Sequence, residues 1–489
     1  MKALFVTSEL HPFNKTGGLG DVSAWLPQAI RRAGVDIRYL VPAFPSILRA
    51  FSELRPAHRF ENKFRAKEII VYRGSLRGNP VKFYLIDAPE LFMRAGNPYS
   101  DAAGGAWGDN HLRYACLSWV AAEFAEAGID GWTPDVIHAN DWMSALAPAY
   151  LELIRRKNPE ARTSSVLSIH NLAFQGVFPF STYGDLELPN YFFNEDGAEF
   201  YRQVSFIKAG IMFADKIATV SPAYAAEIQT EEYGCGLADA LIRRKDSLTG
   251  ILNGVDYEEW NPASDRHIRK KYSKDTIADK KANKEFLQAK AGLLRNPKAP
   301  LFGVLSRMTE QKGMDLIIES IPALMANGVQ LLVMGTDQGN YMPRLSNIAR
   351  QYPGQFAAMD YDEAFSHQVI AGIDVLANPA RFEPCGLTQM FAMRYGTIPY
   401  ARRTGGLSDT IIDANFQNTV ASSAATGFLF ENYRMADFIH GTGRILSVYR
   451  NEKKIWEALK RQAMKQNFSW DKAASAYIDL YNTQLNLIK

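Results

Sequence analysis

A glycine-rich segment near the start of the chain could bind an anion. Residues 15–21 read Lys-Thr-Gly-Gly-Leu-Gly-Asp. Gly17 and Gly18 would let a ligand approach the backbone, the predicted helix after them offers free N–H groups, and Lys15 adds a positive charge. The segment therefore suits a phosphate group. The simpler interpretation is a tight strand-to-helix turn with Lys15 in solvent. The spacing is neither that of a dinucleotide fingerprint nor that of a P-loop.

A second cationic segment, residues 306–313, reads Ser-Arg-Met-Thr-Glu-Gln-Lys-Gly and directly follows a predicted strand at 301–305. In an open α/β sheet, ligands bind beyond the carboxyl ends of the strands. Arg307 could bind phosphate oxygens through its planar fork and Lys312 as a point charge, so the pair could neutralise a departing diphosphate. By itself, the segment is better explained as a surface loop with solvated charges.

A third segment, residues 381–388, reads Arg-Phe-Glu-Pro-Cys-Gly-Leu-Thr and leads from a predicted strand into a predicted helix at 388–395. The amides of Gly386, Leu387 and Thr388 would lie at the start of that helix, where a phosphate is favoured. Glu383 could accept hydrogen bonds from sugar hydroxyls. The alternative for Glu383 is a salt bridge to Arg381.

Two predicted strand ends in the first half carry polar side chains. Residues 138–142 read His-Ala-Asn-Asp-Trp, and residues 170–176 read His-Asn-Leu-Ala-Phe-Gln-Gly. His170 and Asn171 could contact a sugar, with Asp141 opposite them. The plainer interpretations are that Asp141 caps a helix predicted at 141–156 and that a single histidine is structural.

Motifs for metal and nucleophile chemistry are absent from the sequence. No H-E-x-x-H or Cys/His spacing predicts a metal site, and no G-x-S-x-G predicts a serine nucleophile. The three cysteines, Cys116, Cys235 and Cys385, are odd in number and far apart. They are typical of reduced thiols and indicate a cytoplasmic location.

The elements that must position these segments alternate between short apolar runs and amphipathic stretches. Continuous apolar runs favour parallel strands that are covered on both faces, and the alternation favours an α/β fold. A charged stretch, 253–300, with a helix predicted at 270–290, interrupts the series. We therefore predict two sheet domains, 1–250 and 251–489, with a small hairpin decoration at 51–105. The predicted strands are 3–7, 37–41, 69–72, 82–86, 136–138, 165–170, 216–220, 248–252, 301–305, 330–334, 375–377 and 397–400.

Composition narrows the class of protein. The 489 residues include 55 Lys and Arg against 52 Asp and Glu, a net charge of +3 that does not favour a nucleic-acid partner. No run of 18 apolar residues predicts a membrane span, and the first residues do not resemble a signal peptide. One internal echo supports two similar halves: the pattern at 15–21 recurs at 403–409 as Arg-Thr-Gly-Gly-Leu-Ser-Asp. The sequence leaves the oligomeric state open.

Taken together, these segments resemble the bacterial glycogen synthase and plant starch synthase family. The resemblance rests on residues 15–21, 170–176, 306–313 and 403–409, on 381–389 (extending the third segment by a glutamine), and on Asn-Gly-Val-Asp at 253–256. They stand in the order and spacing of the family over nearly the whole chain. The combination is highly specific, although no single motif is.

The resemblance implies the glycosyltransferase B fold, in which two Rossmann-like domains face each other across a deep cleft. The last helix, here about 470–485, would cross back onto the first domain. It also implies transfer of glucose from ADP-glucose to an α-1,4-glucan such as glycogen, with retention of configuration and without a metal or other cofactor. No residue is a convincing covalent nucleophile, so the resemblance favours front-face attack, with the leaving phosphate taking the proton of the incoming 4-hydroxyl.

The resemblance also implies a role for each matching residue. Lys15, Gly17 and Gly18 contact the donor from the first domain, Arg307 and Lys312 hold its diphosphate, and Glu383 binds the glucosyl hydroxyls. Electrostatic stabilisation of the leaving group replaces a metal. The amides of Gly386, Leu387 and Thr388 meet the distal phosphate. The remaining members of the implied site are the sugar-pocket residues His170, Asn171 and Asp141, the adenine-stacking Tyr361, and the further residues Tyr99 and Asn253.

Several positions depart from the family pattern. Asn140 replaces a usual histidine, Asp360 a usual glycine before Tyr361, and Ala380 a common serine; Phe391 stands where wider relatives carry a second glutamate. An added carboxylate at 360 would weaken binding of a diphosphate. The departures keep two alternatives open: UDP-glucose as the donor, and a catalytically impaired glucan-binding protein. A phosphorylase is disfavoured because no pyridoxal-lysine context is present.

Overall fold

The chain folds into two compact units. The computed structural model describes residues 1–415 and 424–488. Unit 1 comprises Met1–Gly254 together with Trp470–Lys489, and unit 2 comprises Val255–Ser469. The division lies after Gly254, against the predicted 250, and the last helix belongs to unit 1.

Unit 1 is built on a nine-stranded sheet with the order β12-β11-β7-β6-β1-β2-β5-β4-β3. The seven strands from β12 to β5 pair in parallel. All of them except the edge strand β12 are mostly buried, as expected for parallel strands that helices cover. A small antiparallel sheet has the order β8-β10-β9. The strands are β1 Lys2–Val6, β2 Asp36–Pro42, β3 Leu54–Lys63, β4 Ala66–Ser75, β5 Lys82–Asp87, β6 Val136–Asn140, β7 Ser164–Ile169, β8 Val177–Pro179, β9 Glu199–Phe200, β10 Gln203–Ser205, β11 Lys216–Thr219 and β12 Leu248–Gly250.

The predicted hairpin decoration is part of the main sheet. Strands β3 and β4 pair antiparallel, and β4 also pairs with β5, so the hairpin extends the sheet at one edge. No β3 residue is buried, so that strand has no apolar run in the sequence from which it could be predicted.

Unit 2 is built on a six-stranded parallel sheet with the order β15-β14-β13-β16-β17-β18. Two of its strands were not predicted. β15 is an edge strand of mixed exposure, and β18 has only three residues, so neither presents a long apolar run. The strands are β13 Leu301–Leu305, β14 Gln330–Gly335, β15 Phe356–Asp360, β16 Val375–Asn378, β17 Ile398–Arg402 and β18 Phe428–Phe430.

Helices follow most strands, and two of them are shorter than predicted. The helix predicted at 141–156 begins at Ala147, after a series of turns, and the helix predicted at 270–290 covers only Lys280–Lys290. The helices are α1 Gly18–Arg32, α2 Pro45–Leu48, α3 Pro89–Phe92, α4 Asn110–Glu126, α5 Ala147–Lys157, α6 Phe206–Phe213, α7 Pro222–Glu227, α8 Ala238–Arg243, α9 Lys280–Lys290, α10 Met314–Ala326, α11 Met342–Gln351, α12 Glu363–Gly372, α13 Thr388–Arg394, α14 Gly405–Thr410, α15 Met435–Asn451, α16 Lys453–Met464 and α17 Trp470–Ile488.

The C-terminal helix α17 packs onto unit 1. Its Tyr481 hydroxyl lies 2.7 Å from Nδ1 of the buried His138 in β6, and Arg32 of α1 pairs with Asp471 at 2.9 Å. The burial of Tyr477 and Tyr481 against the sheet anchors this helix. In the described part of the chain, no helix has the length and apolar character needed to cross a membrane.

Candidate active site

The predicted site residues lie at the carboxyl ends of neighbouring parallel strands. In unit 1, Asp141 follows β6 and His170 follows β7, and these two strands are adjacent. In unit 2, Tyr361 follows β15, Arg307 follows β13 and Glu383 follows β16. Strands β13 and β16 are adjacent, and β14 lies between β15 and β13. This is the edge where open α/β sheets bind ligands.

The glycine-rich loop of unit 1 is held by a residue that the motif analysis missed. Oε2 of Glu9 accepts the backbone N–H groups of Thr16 at 2.8 Å and Gly17 at 3.1 Å, while Oε1 accepts the hydroxyl of Tyr99 at 2.5 Å. Glu9 is only 4% exposed. Two N–H groups of the predicted anion-binding segment therefore already have an anionic partner. Glu9 lies three residues after the end of β1, so the strand-end argument applied to His170 could have found it.

Neither the backbone conformation nor the packing of unit 1 requires glycine at positions 17 and 18. The φ angle of Gly17 is −149°, which any residue adopts, and a Cβ at either position would meet nothing within 4 Å. In the second copy of the pattern, a Cβ on Gly406 would lie 2.1 Å from the Cys385 carbonyl oxygen, so packing demands that glycine. The open space at Gly17 and Gly18 fits close approach by a ligand.

Lys15 of the same loop is half-exposed and pairs with Asp21 at 2.8 Å. Its ammonium group is therefore accessible, with a carboxylate already beside it. Tyr99 is mostly buried, and burial raises the pKa of its hydroxyl well above the usual value, with the neighbouring Glu9 charge acting in the same direction. Tyr99 therefore acts as a neutral hydrogen-bond donor to Glu9.

Asp141 is a buried acid in a left-handed backbone conformation. Its φ is 52°, and Oδ1 accepts the backbone N–H of His170 at 2.7 Å. Burial raises its pKa to about 7, an effect that the His170 N–H opposes and the charge of Glu9 reinforces. The interpretation of Asp141 as a helix cap is wrong, because α5 begins only at Ala147 and Asp141 instead joins two strand ends.

His170 is a neutral imidazole at ordinary pH. Burial lowers its pKa to about 4. Nε2 lies 3.0 Å from Oδ1 of Asn140, and Nδ1 is a buried atom without a hydrogen-bond partner. The half-buried Asn171 beside it caps its own turn through the N–H of Ala173, at 3.1 Å. The structure therefore brings His170, Asn171 and Asp141 together at neighbouring strand ends.

Asn253 lies apart from that group in the sheet. It follows β12, and β11 separates that strand from β7. Its side chain is buried, with Oδ1 lacking a hydrogen-bond partner. Its assignment to the donor site remains a prediction.

In unit 2, Lys312 and Glu383 form an ion pair at adjacent strand ends. Nζ of Lys312 contacts Oε2 of Glu383, and their side chains are 16% and 7% exposed. Arg381 instead pairs with Asp315 at 2.8 Å and Glu310 at 3.1 Å, so the salt bridge considered between Arg381 and Glu383 is wrong. A cation and a carboxylate side by side can bind an anionic and a hydroxyl group of one ligand.

Two loops of unit 2 are fastened together around this pair. The N–H of Arg381 donates to the carbonyl of Gln311 at 2.8 Å. Gly313 has a φ of 77°, and a Cβ there would lie 2.2 Å from the carbonyl oxygen of Pro379. Glycine is therefore required at 313, because it lets the two segments approach closely.

Arg307 is a half-buried cation that forms no ion pair with any described residue; its guanidinium lies 3.5 Å from Oε1 of Gln338. Gly386 has a φ of 70°, and within the described ranges the N–H groups of Gly386 and Leu387 donate no hydrogen bond. Thr388 is the first residue of α13. Arg307 and the N–H groups of Gly386 and Leu387 could therefore contact an anion; that they bind a diphosphate stays a prediction.

Tyr361 is 45% exposed at the end of β15, and its hydroxyl contacts Glu363. The exposed Asp360 is the last residue of the same strand. Phe391, the position without the second glutamate, stacks on Trp260 with ring centroids 4.1 Å apart and is therefore a packing residue.

One cluster in the described ranges could hold a metal ion: ligand atoms of Glu259, Glu363 and His367 lie within 4.8 Å of one another. Both glutamates are exposed, and Nδ1 of His367 pairs with the buried Asp265 at 2.8 Å. None of the predicted diphosphate ligands belongs to this cluster. That the reaction needs no metal stays a prediction.

Comparison with known proteins identifies the family. Residues 2–243 match the model of the starch synthase catalytic domain, and residues 285–466 match that of glycosyl transferases group 1. A glycogen synthase of Francisella tularensis subsp. novicida (strain U112) is 42% identical over 492 residues, covering 100% of this chain and 99% of the relative. The chain belongs to the glycogen synthase family.

Solved structures agree with this family. The catalytic domain of starch synthase IV from Arabidopsis thaliana, bound to ADP and acarbose, is 31% identical with a TM-score of 0.87, over 99% of both chains. Sucrose-phosphate synthase from Thermosynechococcus elongatus, at 17% identity and a TM-score of 0.57 over 99% of both chains, shares the fold alone. The predicted two-domain glycosyltransferase B fold and the family resemblance are confirmed, and the chain is a glycosyltransferase.

Proposed function

We propose that the chain is a glycogen synthase. It transfers glucose from ADP-glucose to the 4-hydroxyl at the non-reducing end of an α-1,4-glucan, with retention of configuration and release of ADP. The observation that carries this proposal is full-length membership of the glycogen synthase family. The ADP-bound starch synthase structure supports the choice of nucleotide.

Cations of unit 2 hold the donor in this proposal. Arg307, which pairs with no carboxylate in the described part of the chain, binds the diphosphate together with the N–H groups of Gly386, Leu387 and Thr388. Lys312 contacts the diphosphate beside Glu383, which accepts hydrogen bonds from glucosyl hydroxyls. As the bond between C1 and the phosphate oxygen breaks, these fixed charges stabilise the negative charge that develops. No metal or other cofactor takes part.

Unit 1 contributes the sugar contacts and the glycine-rich loop. His170, Asn171 and Asp141 line the sugar site, and Lys15 with Gly17 and Gly18 contacts the donor. The bond from C1 to the acceptor 4-oxygen forms on the face that the diphosphate leaves. The proton of the 4-hydroxyl passes to the departing phosphate oxygen. This course fits a site in which no residue was identified as a covalent nucleophile.

The experiment that tests the proposal measures ADP release from ADP-glucose in the presence of glycogen. UDP-glucose is run in parallel, and Lys312→Ala serves as the control variant. We expect turnover with ADP-glucose that the variant loses. Turnover with UDP-glucose alone would overturn the donor assignment. Glycogen binding without turnover of either donor would identify an impaired glucan-binding protein.

A cytoplasmic location is part of the proposal. None of the three described cysteines forms a disulfide bond, and Cys116 and Cys385 are buried. Separated thiols outside disulfide bonds are typical of reducing compartments. Fractionation of the native host should place the protein and its product in the same compartment.

A further inference from the structure

The side chain of Asn140 has one possible orientation. Its Nδ2 lies 3.1 Å from the carbonyl oxygen of Val6 and 3.2 Å from that of His138. Carbonyl oxygens only accept hydrogen bonds, so the amide nitrogen must face them. The amide oxygen, Oδ1, is therefore the atom that lies 3.0 Å from Nε2 of His170.

This orientation assigns the tautomer of His170. Because Oδ1 of Asn140 can only accept, Nε2 of His170 must carry the hydrogen. A neutral imidazole has one hydrogen, so Nδ1 carries a lone pair. Nδ1 is buried and accepts no hydrogen bond from any described residue, and a buried acceptor without a donor is unfavourable. A ligand group that donates would satisfy it.

We propose that Asn140 is a positioning residue that locks His170 as the Nε2–H tautomer, so that Nδ1 accepts a hydrogen bond from one hydroxyl of the transferred glucose. The inference rests on the proposed function and adds the direction of one hydrogen bond. Every sugar hydroxyl can donate, whereas a backbone carbonyl or a phosphate oxygen cannot. The arrangement therefore selects a hydroxyl at this point of the sugar site.

Asparagine is suited to this role at position 140. A histidine there, the usual residue of the family pattern, could present either a donor or an acceptor to His170, because its own tautomer can change. An aspartate would accept from Nε2–H but could not donate to Val6 and His138. Of these three residues, only asparagine donates to the two carbonyls and presents an oxygen that must accept.

The first test reads the tautomer directly by ¹⁵N NMR of protein labelled at its histidine rings. Wild type, Asn140→Leu and the control Ser144→Ala are compared, with His170→Asn to assign the signals. Ser144 is a matched control because its hydroxyl lies 2.6 Å from the backbone nitrogen of Asn140 and leaves the side chain alone. We expect a protonated Nε2 and a bare Nδ1 in wild type and Ser144→Ala, and a mixture of tautomers in Asn140→Leu. A protonated Nδ1 in wild type would overturn the inference.

The second test uses donors in which each glucose hydroxyl in turn is replaced by fluorine, which cannot donate. For each protein, the kcat/KM of a fluorinated donor is divided by the kcat/KM of ADP-glucose. For one of these donors, that ratio should be at least about tenfold lower in wild type than in Asn140→Leu. Equal ratios in the two proteins for all four donors would show that Asn140 does not act through this hydrogen bond.

The two tests separate this inference from the proposed function. The NMR readout needs no turnover, so it decides the tautomer even if ADP-glucose is not a substrate. Urea unfolding of Asn140→Leu shows whether the variant is folded. If it is not, Asn140→Ser, which keeps a polar side chain but shortens it, replaces it in both measurements.

Discussion

Glu9 accepts a hydrogen bond from Gly17, which lies eight positions later in the chain: the backbone N–H of Gly17 donates to Oε2 of Glu9 at 3.1 Å. The same carboxylate accepts the hydroxyl of Tyr99. A buried acid thus shapes the loop that the family resemblance assigns to donor binding. The loop is ordered by the protein before any ligand arrives, which lowers the entropic cost of binding.

Replacing the Glu9 carboxylate with an amide should loosen this loop. Glu9→Gln removes the charge. Its amide oxygen can still accept the N–H groups of Thr16 and Gly17 while its NH2 group donates to the Tyr99 hydroxyl, so neutral hydrogen bonds replace charge-assisted ones. Since hydrogen bonds to charged groups contribute about 1.5–3 kcal/mol, we expect the free energy of unfolding to fall by about 2 kcal/mol. Amide exchange at Thr16 and Gly17 should accelerate. Glu68→Gln, at an exposed pair with Arg59, is the control, and unchanged exchange in Glu9→Gln would contradict the assignment.

Variants of the Lys312–Glu383 pair should distinguish its contribution to stability from its contribution to catalysis. Lys312→Met leaves a mostly buried carboxylate without its cation, so we expect a loss of about 2–4 kcal/mol in urea unfolding. Adding Glu383→Gln removes the uncompensated charge and should restore most of that stability. Transfer of glucose should stay lost in the double variant, because both groups act on the donor.

The exposed pair of Arg403 with Glu431 offers a control for that experiment. Arg403→Met should change the free energy of unfolding by less than about 1 kcal/mol, as surface ion pairs do. If the double variant were no more stable than Lys312→Met, the two side chains would not be energetically coupled.

Asp141 should make stability depend on pH. Its pKa is raised from 3.8 to about 7 by burial, so the folded protein keeps a proton that the unfolded chain loses above pH 3.8. The stabilisation from the protonated acid is complete below that pH and is lost as pH rises through about 7. Asp141→Asn stays neutral throughout. Its free energy of unfolding should therefore rise relative to wild type between pH 4 and pH 8, by up to about 4 kcal/mol.

Asp135→Asn is the matched control for this titration. Asp135 immediately precedes the strand that Asp141 follows, and it accepts the N–H of Lys2 at 2.7 Å. The comparison shows how much of any change comes from replacing a carboxylate next to β6. A constant difference for Asp141→Asn over the same interval would rule out a raised pKa.

Tyr361 should bind the adenine by stacking. Tyr361→Ala removes an exposed ring at a strand end, and stacking of a base on an aromatic side chain contributes about 1–3 kcal/mol. We expect ADP to bind at least about fivefold more weakly by calorimetry. Tyr361→Phe keeps the ring and removes the hydroxyl that contacts Glu363, so it should bind ADP like wild type. Equal weakening in both variants would assign the effect to the hydroxyl.

Asp360 should oppose donor binding through its charge. Replacing it with glycine, the usual residue of the family pattern, removes a carboxylate at the same strand end. We expect Asp360→Gly to bind ADP several-fold more tightly at low salt, with a smaller difference at high salt because ions screen exposed charges. A difference that does not change with salt would point to a change in backbone conformation.

The strand ends show what could be predicted before the fold was seen. Leu301–Leu305 is a continuous apolar run, and its strand was predicted with correct bounds. Because ligands bind beyond the carboxyl ends of parallel strands, the segment after it could be assigned to a site. The β3 edge strand could not be found in this way, because its residues face solvent and carry no apolar run.

The amino-acid sequence by itself determined the α/β class, the two sheets, the motifs and the family, since these depend on local apolar patterns and on residue types at fixed spacing. Tertiary structure alone decided the partners of the charged and polar groups. It placed Glu9 under the glycine-rich loop, paired Lys312 with Glu383 and not with solvent, and left Nδ1 of His170 without a donor. The physical reason is that hydrogen bonds and pKa shifts depend on distance and burial, and these are set by which strands become neighbours in the sheet.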